Sequence, residues 1–194
     1  VLSVFAGLRP LAAPRSEGKK TKEISRSHKL IREKSGLITI IGGKWTTYRK
    51  MAQDTLDLAI RYMHIPTKDC ITERYQIHGS RKNPDFSDPL YVYGTDADEI
   101  RNLVASSPAM AEKLHPDYAY TVGEVTWLVR NEMPRTLEDV LARRLRILFL
   151  DARAAMAMAP KVAGILATEW GKDETWTSAQ VKAFNEVASN YILN

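Results

Sequence analysis

The residues best suited to chemistry lie in one run, Ile40-Ile41-Gly42-Gly43-Lys44-Trp45-Thr46-Thr47-Tyr48-Arg49. Two adjacent glycines let a backbone approach a ligand closely, and a helix starting at Thr46 or Thr47 offers free N–H groups to negative charge or a polar oxygen. Lys44 adds a full positive charge. A phosphate-loop assignment fails, because that motif requires glycine where Ile38 stands and a hydroxyl residue where Trp45 follows the lysine. By residue type the turn reads either as a ligand site or as a tight turn with an exposed lysine. Two arginines precede it. Arg9 sits between a glycine and a rigid proline in Gly7-Leu8-Arg9-Pro10-Leu11, and Arg26 sits in Ile24-Ser25-Arg26-Ser27-His28. A guanidinium fork suits phosphate or carboxylate, although an isolated arginine is more commonly a surface or ion-pairing residue. His28, His64, His78 and His115 lack metal-ligand spacing and there is one cysteine, Cys70, so no metal site is expected and the histidines read as surface or packing residues.

The elements that must hold these residues follow from apolar spacing. Val1 to Phe5 and Gly36 to Ile41 read as strands, the second as a buried parallel strand because Leu37-Ile38-Thr39-Ile40-Ile41 lacks alternation. Gly42 and Gly43 end it, and a helix is predicted from about Thr46 to Met63, burying Tyr48, Met51, Ala52, Thr55, Leu56, Ala59 and Met63. So few strands do not complete a sheet, which places partner strands upstream. Val1 to Gly7 has neither an initiator methionine nor a basic lead, so it is no signal peptide, and the chain reads as a carboxy-terminal piece of something longer.

Beyond Pro66 to Cys70 the pattern turns helical. Ile71 to Ile77 reads as a short strand and Ser80 to Pro89 as a connector. Helix starts are predicted at Thr95, at Ser107 with Pro108, at Thr121 with Glu124, at Thr136 with Asp139 and at Thr177 with Gln180. The fourth leads a long helix to about Ala159. Pro160 then turns the chain into a short helix closed by Gly171. The expected fold is α+β: a strand, turn and helix over residues 1–69, then an all-α carboxy-terminal domain over 70–194.

Length and charge narrow the partners. The 194 residues, 44% of them hydrophobic, can build a core, and one cysteine excludes a disulfide scaffold. No apolar run approaches the ~18 residues of a membrane span. The net +5 is uneven: residues 1–69 hold 14 Lys and Arg against 6 Asp and Glu, and residues 70–194 hold 14 against 17. The basic stretch Arg15 to Lys34 has no interleaved aromatic residues, which argues against nucleic acid and leaves a solvated loop or an anion site.

The segments Gly7-Leu8-Arg9-Pro10-Leu11, Ile24-Ser25-Arg26, Ser35-Gly36-Leu37-Ile38-Thr39 and Gly42-Gly43-Lys44-Trp45-Thr46-Thr47-Tyr48-Arg49-Lys50-Met51-Ala52 resemble, in order and spacing, the FAD-dependent, quinone-linked glycerol-3-phosphate dehydrogenases. Arg143-Arg144-Leu145-Arg146 with Phe149-Leu150 and Ala154-Ala155 looks like the arginine-bearing helix of that family's carboxy-terminal domain. The resemblance implies a remnant of an FAD-binding domain followed by that helical domain. It also implies oxidation of sn-glycerol 3-phosphate to dihydroxyacetone phosphate, with hydride passing to FAD and electrons on to a quinone. By the same resemblance, Arg9, Arg26 and Lys44 would bind the substrate, and Gly42, Gly43, Lys44, Thr46 and Thr47 would face the flavin. A cytoplasmic, peripherally membrane-associated enzyme is implied, with contact to a membrane surface and to a second copy left open. No Gly-x-Gly-x-x-Gly turn occurs in the sequence, and no catalytic base is assigned, so this stretch alone is expected to be inactive. The alternatives are a glycerophosphate oxidase passing electrons to oxygen, and a non-catalytic helical interaction or regulatory module. The arginines Arg143, Arg144, Arg146 and Arg153 are expected to pair with Glu138, Asp139 and Asp151 or to bind a neighbouring segment.

Overall fold

The structure, a computed structural model, describes residues 1–8 and 27–193. The chain divides into two compact units: Gly7–Ile77, and a helical unit made of Val1–Ala6 with His78–Asn194.

In the first unit β1 (Lys29–Arg32) pairs antiparallel with β2 (Ile38–Ile41), Lys29 opposite Ile41 and Arg32 opposite Ile38. The turn between them closes on Glu33, whose N–H donates to the Leu37 carbonyl at 2.9 Å, with Gly36 at φ 92°. The expected parallel, fully covered strand is therefore corrected to one arm of a hairpin, and β2 is half-buried throughout. The partner strand went unread because its Leu30 and Ile31 sit inside the basic run, where charge masks a two-residue apolar centre. A single 3₁₀ turn (Trp45–Thr47) leads into α1 (Tyr48–Tyr62). The helix partly buries Met51, Asp54, Thr55, Leu58 and Ala59, whereas Tyr48, Leu56 and Met63 from the predicted face are exposed. The Arg32 guanidinium lies 3.5 Å from the centre of the Tyr62 ring, joining β1 to the end of α1 by a cation–π contact. Ile71 to Ile77 is no strand but exposed turns.

The helical unit contains α2 (Ala97–Ala105), α3 (Pro108–Ala111), α4 (Val122–Asn131), α5 (Ile147–Leu150), α6 (Ala152–Trp170) and α7 (Glu174–Ser189). Ile100, Leu128, Leu137, Leu148, Val162 and Leu166 are fully enclosed in one core. Val1–Ala6 belongs here and forms no strand. Its Val4 N–H donates to the Tyr191 carbonyl at 2.9 Å, its Leu2 carbonyl accepts from Ala152 N–H at 3.2 Å, and the Phe5 ring meets Phe149 edge-on at 5.0 Å. An apolar run that docks on helix ends satisfies the same sequence pattern as a strand.

Several predicted helix boundaries hold. The Ser107 and Thr121 hydroxyls accept from Met110 N–H and Glu124 N–H, and Gly171 closes α6 in the left-handed conformation at φ 62°. Four boundaries move. Thr95 caps nothing, because a kinked 3₁₀ segment (Tyr91–Asp96) carries the chain into α2. The long helix from Thr136 is broken: Asp139–Arg144 winds as a wider π turn, Arg146 takes φ 61°, and Asp151 leaves the helix to cap α6 by accepting from Ala154 N–H at 2.9 Å. Pro160 does not turn the chain but lies within α6, where enclosed Ala159, Val162 and Ala163 outweigh the lost backbone bond. Finally, α7 is capped by Asp173, and Gln180 instead accepts from Leu137 N–H at 3.0 Å.

Candidate functional site

The hairpin register brings His28, just before β1, alongside Gly42 and Gly43, just after β2. Both glycines have positive φ, 74° and 85°. A Cβ on Gly43 would lie 2.6 Å from Met51 Sδ and 3.2 Å from His28 Cβ, so the backbone passes where no side chain fits. Lys44 is extended and the chain then tightens: Thr47 N–H and Thr47 Oγ1 both donate to the Lys44 carbonyl at 3.0 Å, while Lys44 N–H donates to Thr47 Oγ1 at 3.3 Å. Thr47 thus spends its polar groups closing the turn, leaving Trp45 and Thr46 N–H as donors that the turn cannot satisfy internally. Trp45, 86% exposed, stacks on Tyr48 with ring centres 5.8 Å apart.

Of the predicted site residues, Gly42, Gly43, Lys44, Thr46 and Thr47 form this one continuous turn, while Arg9 and Arg26 lie outside the described residues. Lys44 is exposed, and among the described residues its ammonium has no ion-pair partner. Neighbouring cations are engaged. Arg49 donates to Gln53 at 2.9 Å and to Thr72 at 3.1 Å, and the Lys50 ammonium sits 2.9 Å from Asp54 Oδ1. The other Asp54 oxygen meets His28 Nε2 at 2.9 Å. The Lys50 hydrogen bond, then that of His28, holds the Asp54 carboxyl below its usual range. Sequence reading missed this His28–Asp54 pair. The spacing of Lys50 and Asp54 on one helix face was its one visible signal.

Of the four arginines expected to pair in the helical unit, Arg143 and Arg144 do so, whereas Arg146 and Arg153 make no ion pair among the described residues. Arg143 pairs with Glu138 at 2.7 Å and Asp139 at 3.0 Å, and Arg144 donates to the carbonyls of Glu132 at 2.5 Å and Asp139 at 3.1 Å. Asp151 caps α6 and accepts from the Tyr118 hydroxyl at 2.9 Å. Buried Glu124 accepts from the Tyr93 hydroxyl at 2.7 Å, and burial pushes its carboxyl up to about 6. Among the described residues no three His, Cys, Asp or Glu side chains converge as metal ligands.

Residues 37–177 match the family described as the C-terminal domain of alpha-glycerophosphate oxidase. The chain belongs to this family. The family match begins at Leu37, and so takes in the whole glycine turn together with α1 and the helical unit from His78 to the first turn of α7. Along nearly all of its length, 99%, the chain is 35% identical to a probable mitochondrial glycerol-3-phosphate dehydrogenase of Caenorhabditis elegans, and 34% identical to one of Dictyostelium discoideum. The mitochondrial glycerol-3-phosphate dehydrogenase of Arabidopsis thaliana is 32% identical over 98% of the chain. The chain spans 29%, 33% and 37% of those three relatives.

Proposed function

We propose that this chain is part of an FAD-dependent glycerol-3-phosphate dehydrogenase, its first unit a piece of the flavin and substrate domain and its second a helical accessory domain. One observation carries the reading: two successive positive-φ glycines, the second packed where a Cβ would collide with Met51, present Lys44 without an ion-pair partner among the described residues. The exposed Leu37, Trp45, Tyr48 and Leu56 support a unit that is part of a larger apolar assembly.

The turn fits the carbonyl edge of a flavin ring: backbone close enough for a planar group, free Trp45 and Thr46 N–H groups, and one ammonium. When bound, the flavin supplies the two-electron acceptor for the hydride leaving C2 of glycerol 3-phosphate. Lys44 holds negative charge at that edge and on the substrate, Gly42 and Gly43 admit the ring, and Thr47 keeps Lys44 in place through the turn it closes. Arg9 and Arg26 grip the substrate phosphate in this reading. A quinone at a membrane surface would be the acceptor beyond the flavin. No helix of the described residues is long and apolar enough to cross a membrane.

The test uses protein expressed from the complete gene. Removing a charge-assisted contact worth about 1.5–3 kcal/mol, Lys44→Ala lowers kcat/KM for glycerol 3-phosphate by about 10- to 100-fold. Unchanged kinetics would overturn the assignment. The matching family is described by an oxidase, which gives the second reading its support. Hydrogen peroxide released at the rate of substrate loss would establish it over quinone reduction.

A further inference from the structure

We infer that Asp54 is a positioning residue for the Gly43–Lys44 turn, acting through His28. This rests on the reading of Lys44 given above, but the geometry behind it stands separately. Gly43 has no slack: the space a Cβ would need is taken by Met51 on one side and His28 on the other, at 2.6 and 3.2 Å. Whatever fixes those two side chains fixes the turn. Met51 belongs to α1, and three residues along the same helix face Asp54 reaches back to the hairpin, where its Oδ2 meets His28 Nε2 at 2.9 Å. Its second oxygen is held by Lys50 at 2.9 Å, so the carboxylate cannot swing away without losing two partners. The α1 face Lys50-Met51-Asp54 and His28 therefore form a clamp around the glycine turn, with Lys44 immediately beyond it.

The two Asp54 oxygens are taken by His28 and Lys50, so Asp54 acts through the position of Lys44 and not by contact with the reaction. A double-mutant comparison reads that. In protein from the complete gene, Asp54→Ala lowers kcat/KM for glycerol 3-phosphate by about tenfold, within the cost known for ångström-scale misplacement of a catalytic group. In a Lys44→Ala background the same change costs nothing further, because the group it positions is gone. Asp54→Asn, which keeps an acceptor for His28, restores most of the loss. Independently of activity, hydrogen exchange of the two bonded amides of the turn, Lys44 and Thr47, quickens about tenfold in Asp54→Ala while that of α4 and α6 does not change. Unaltered exchange at the turn, or losses that multiply in the double variant, would overturn the Asp54 assignment alone. If Lys44→Ala is itself silent, the functional reading falls, and the exchange measurement still reports whether Asp54 holds the turn.

Discussion

The two units are built on opposite terms. The helical unit encloses whole side chains, with Ile100, Leu128, Leu148 and Val162 fully shielded from water, while no described residue of the Gly7–Ile77 unit is buried and Leu56 and Trp45 are 60% and 86% exposed. The candidate chemistry sits on the unit without a core. Its turn is held by a glycine packed against Met51 and His28, by the hairpin register and by the Asp54 carboxylate. Precision there is local and polar, whereas in the helical unit it is collective and apolar. Such a division leaves the site unit the softer of the two, since local opening follows the scarcity of buried contacts.

The largest test of that contrast is a pair of leucines. Leu148→Ala removes an enclosed side chain and should cost about 3–5 kcal/mol, whereas Leu56→Ala on exposed α1 should cost no more than about 0.5 kcal/mol. Urea unfolding of both variants measures it. Comparable losses would mean that α1 is packed far more tightly than its exposure indicates.

The contrast also explains what could be read from sequence. Caps written in side-chain chemistry were legible: Ser107, Thr121 and Gly171 act where their types predicted. So was the strand, glycine turn and helix, because Gly42-Gly43 after an apolar run has few other uses. What failed depended on distant partners. Asp151 resembles one more polar residue inside a helix until Tyr118 and the Ala154 N–H claim it, and Pro160 looks like a breaker until the core around Ala159 and Val162 holds the helix together. His28 and Asp54 lie 26 positions apart, with no local pattern to join them. Arg9 and Arg26, the other halves of the proposed substrate site, fall outside the described residues.

Acid separates the units by sign. Burial raises the Glu124 carboxyl from its ordinary 4.5 to about 6 in the folded helical unit. The folded state therefore binds more protons than the unfolded state between those values, and Glu124 makes stability fall as pH rises through them. Its ionisation costs about 2 kcal/mol at neutral pH. Glu124→Gln keeps an acceptor for Tyr93 and should remove that slope, raising stability at pH 7 but not at pH 4. Asp54 behaves in the opposite sense. Held below its ordinary value by Lys50 and then His28, it stabilises above that value and loses its contribution as pH falls through the lowered one. Hydrogen exchange followed from pH 7 down to pH 3 should thus loosen the glycine turn at the acid end. An acid-loosened α4 with an unmoved turn would reverse the assignment.

The smallest expected effect sharpens the comparison most, because it sets similar ion pairs in unlike surroundings. Arg130 holds Glu169 through two bonds of 2.7 and 2.8 Å between α4 and α6, with its own side chain 51% exposed. Exposed pairs of this kind contribute at most about 1 kcal/mol, since water and salt screen them. Leu128 on α4 and Val162 on α6 stay enclosed in the core without it, so Arg130→Ala should change global stability only slightly and leave α4 exchange unchanged. Lys50 pairs with Asp54 at a similar exposure, 54%, but below it there is only the clamp on Gly43. Lys50→Ala should therefore be as mild globally and yet quicken exchange at the glycine turn, a local change without a stability change. If both variants leave their surroundings equally quiet, Asp54 holds His28 without help from Lys50, and the softness argued for the site unit is wrong.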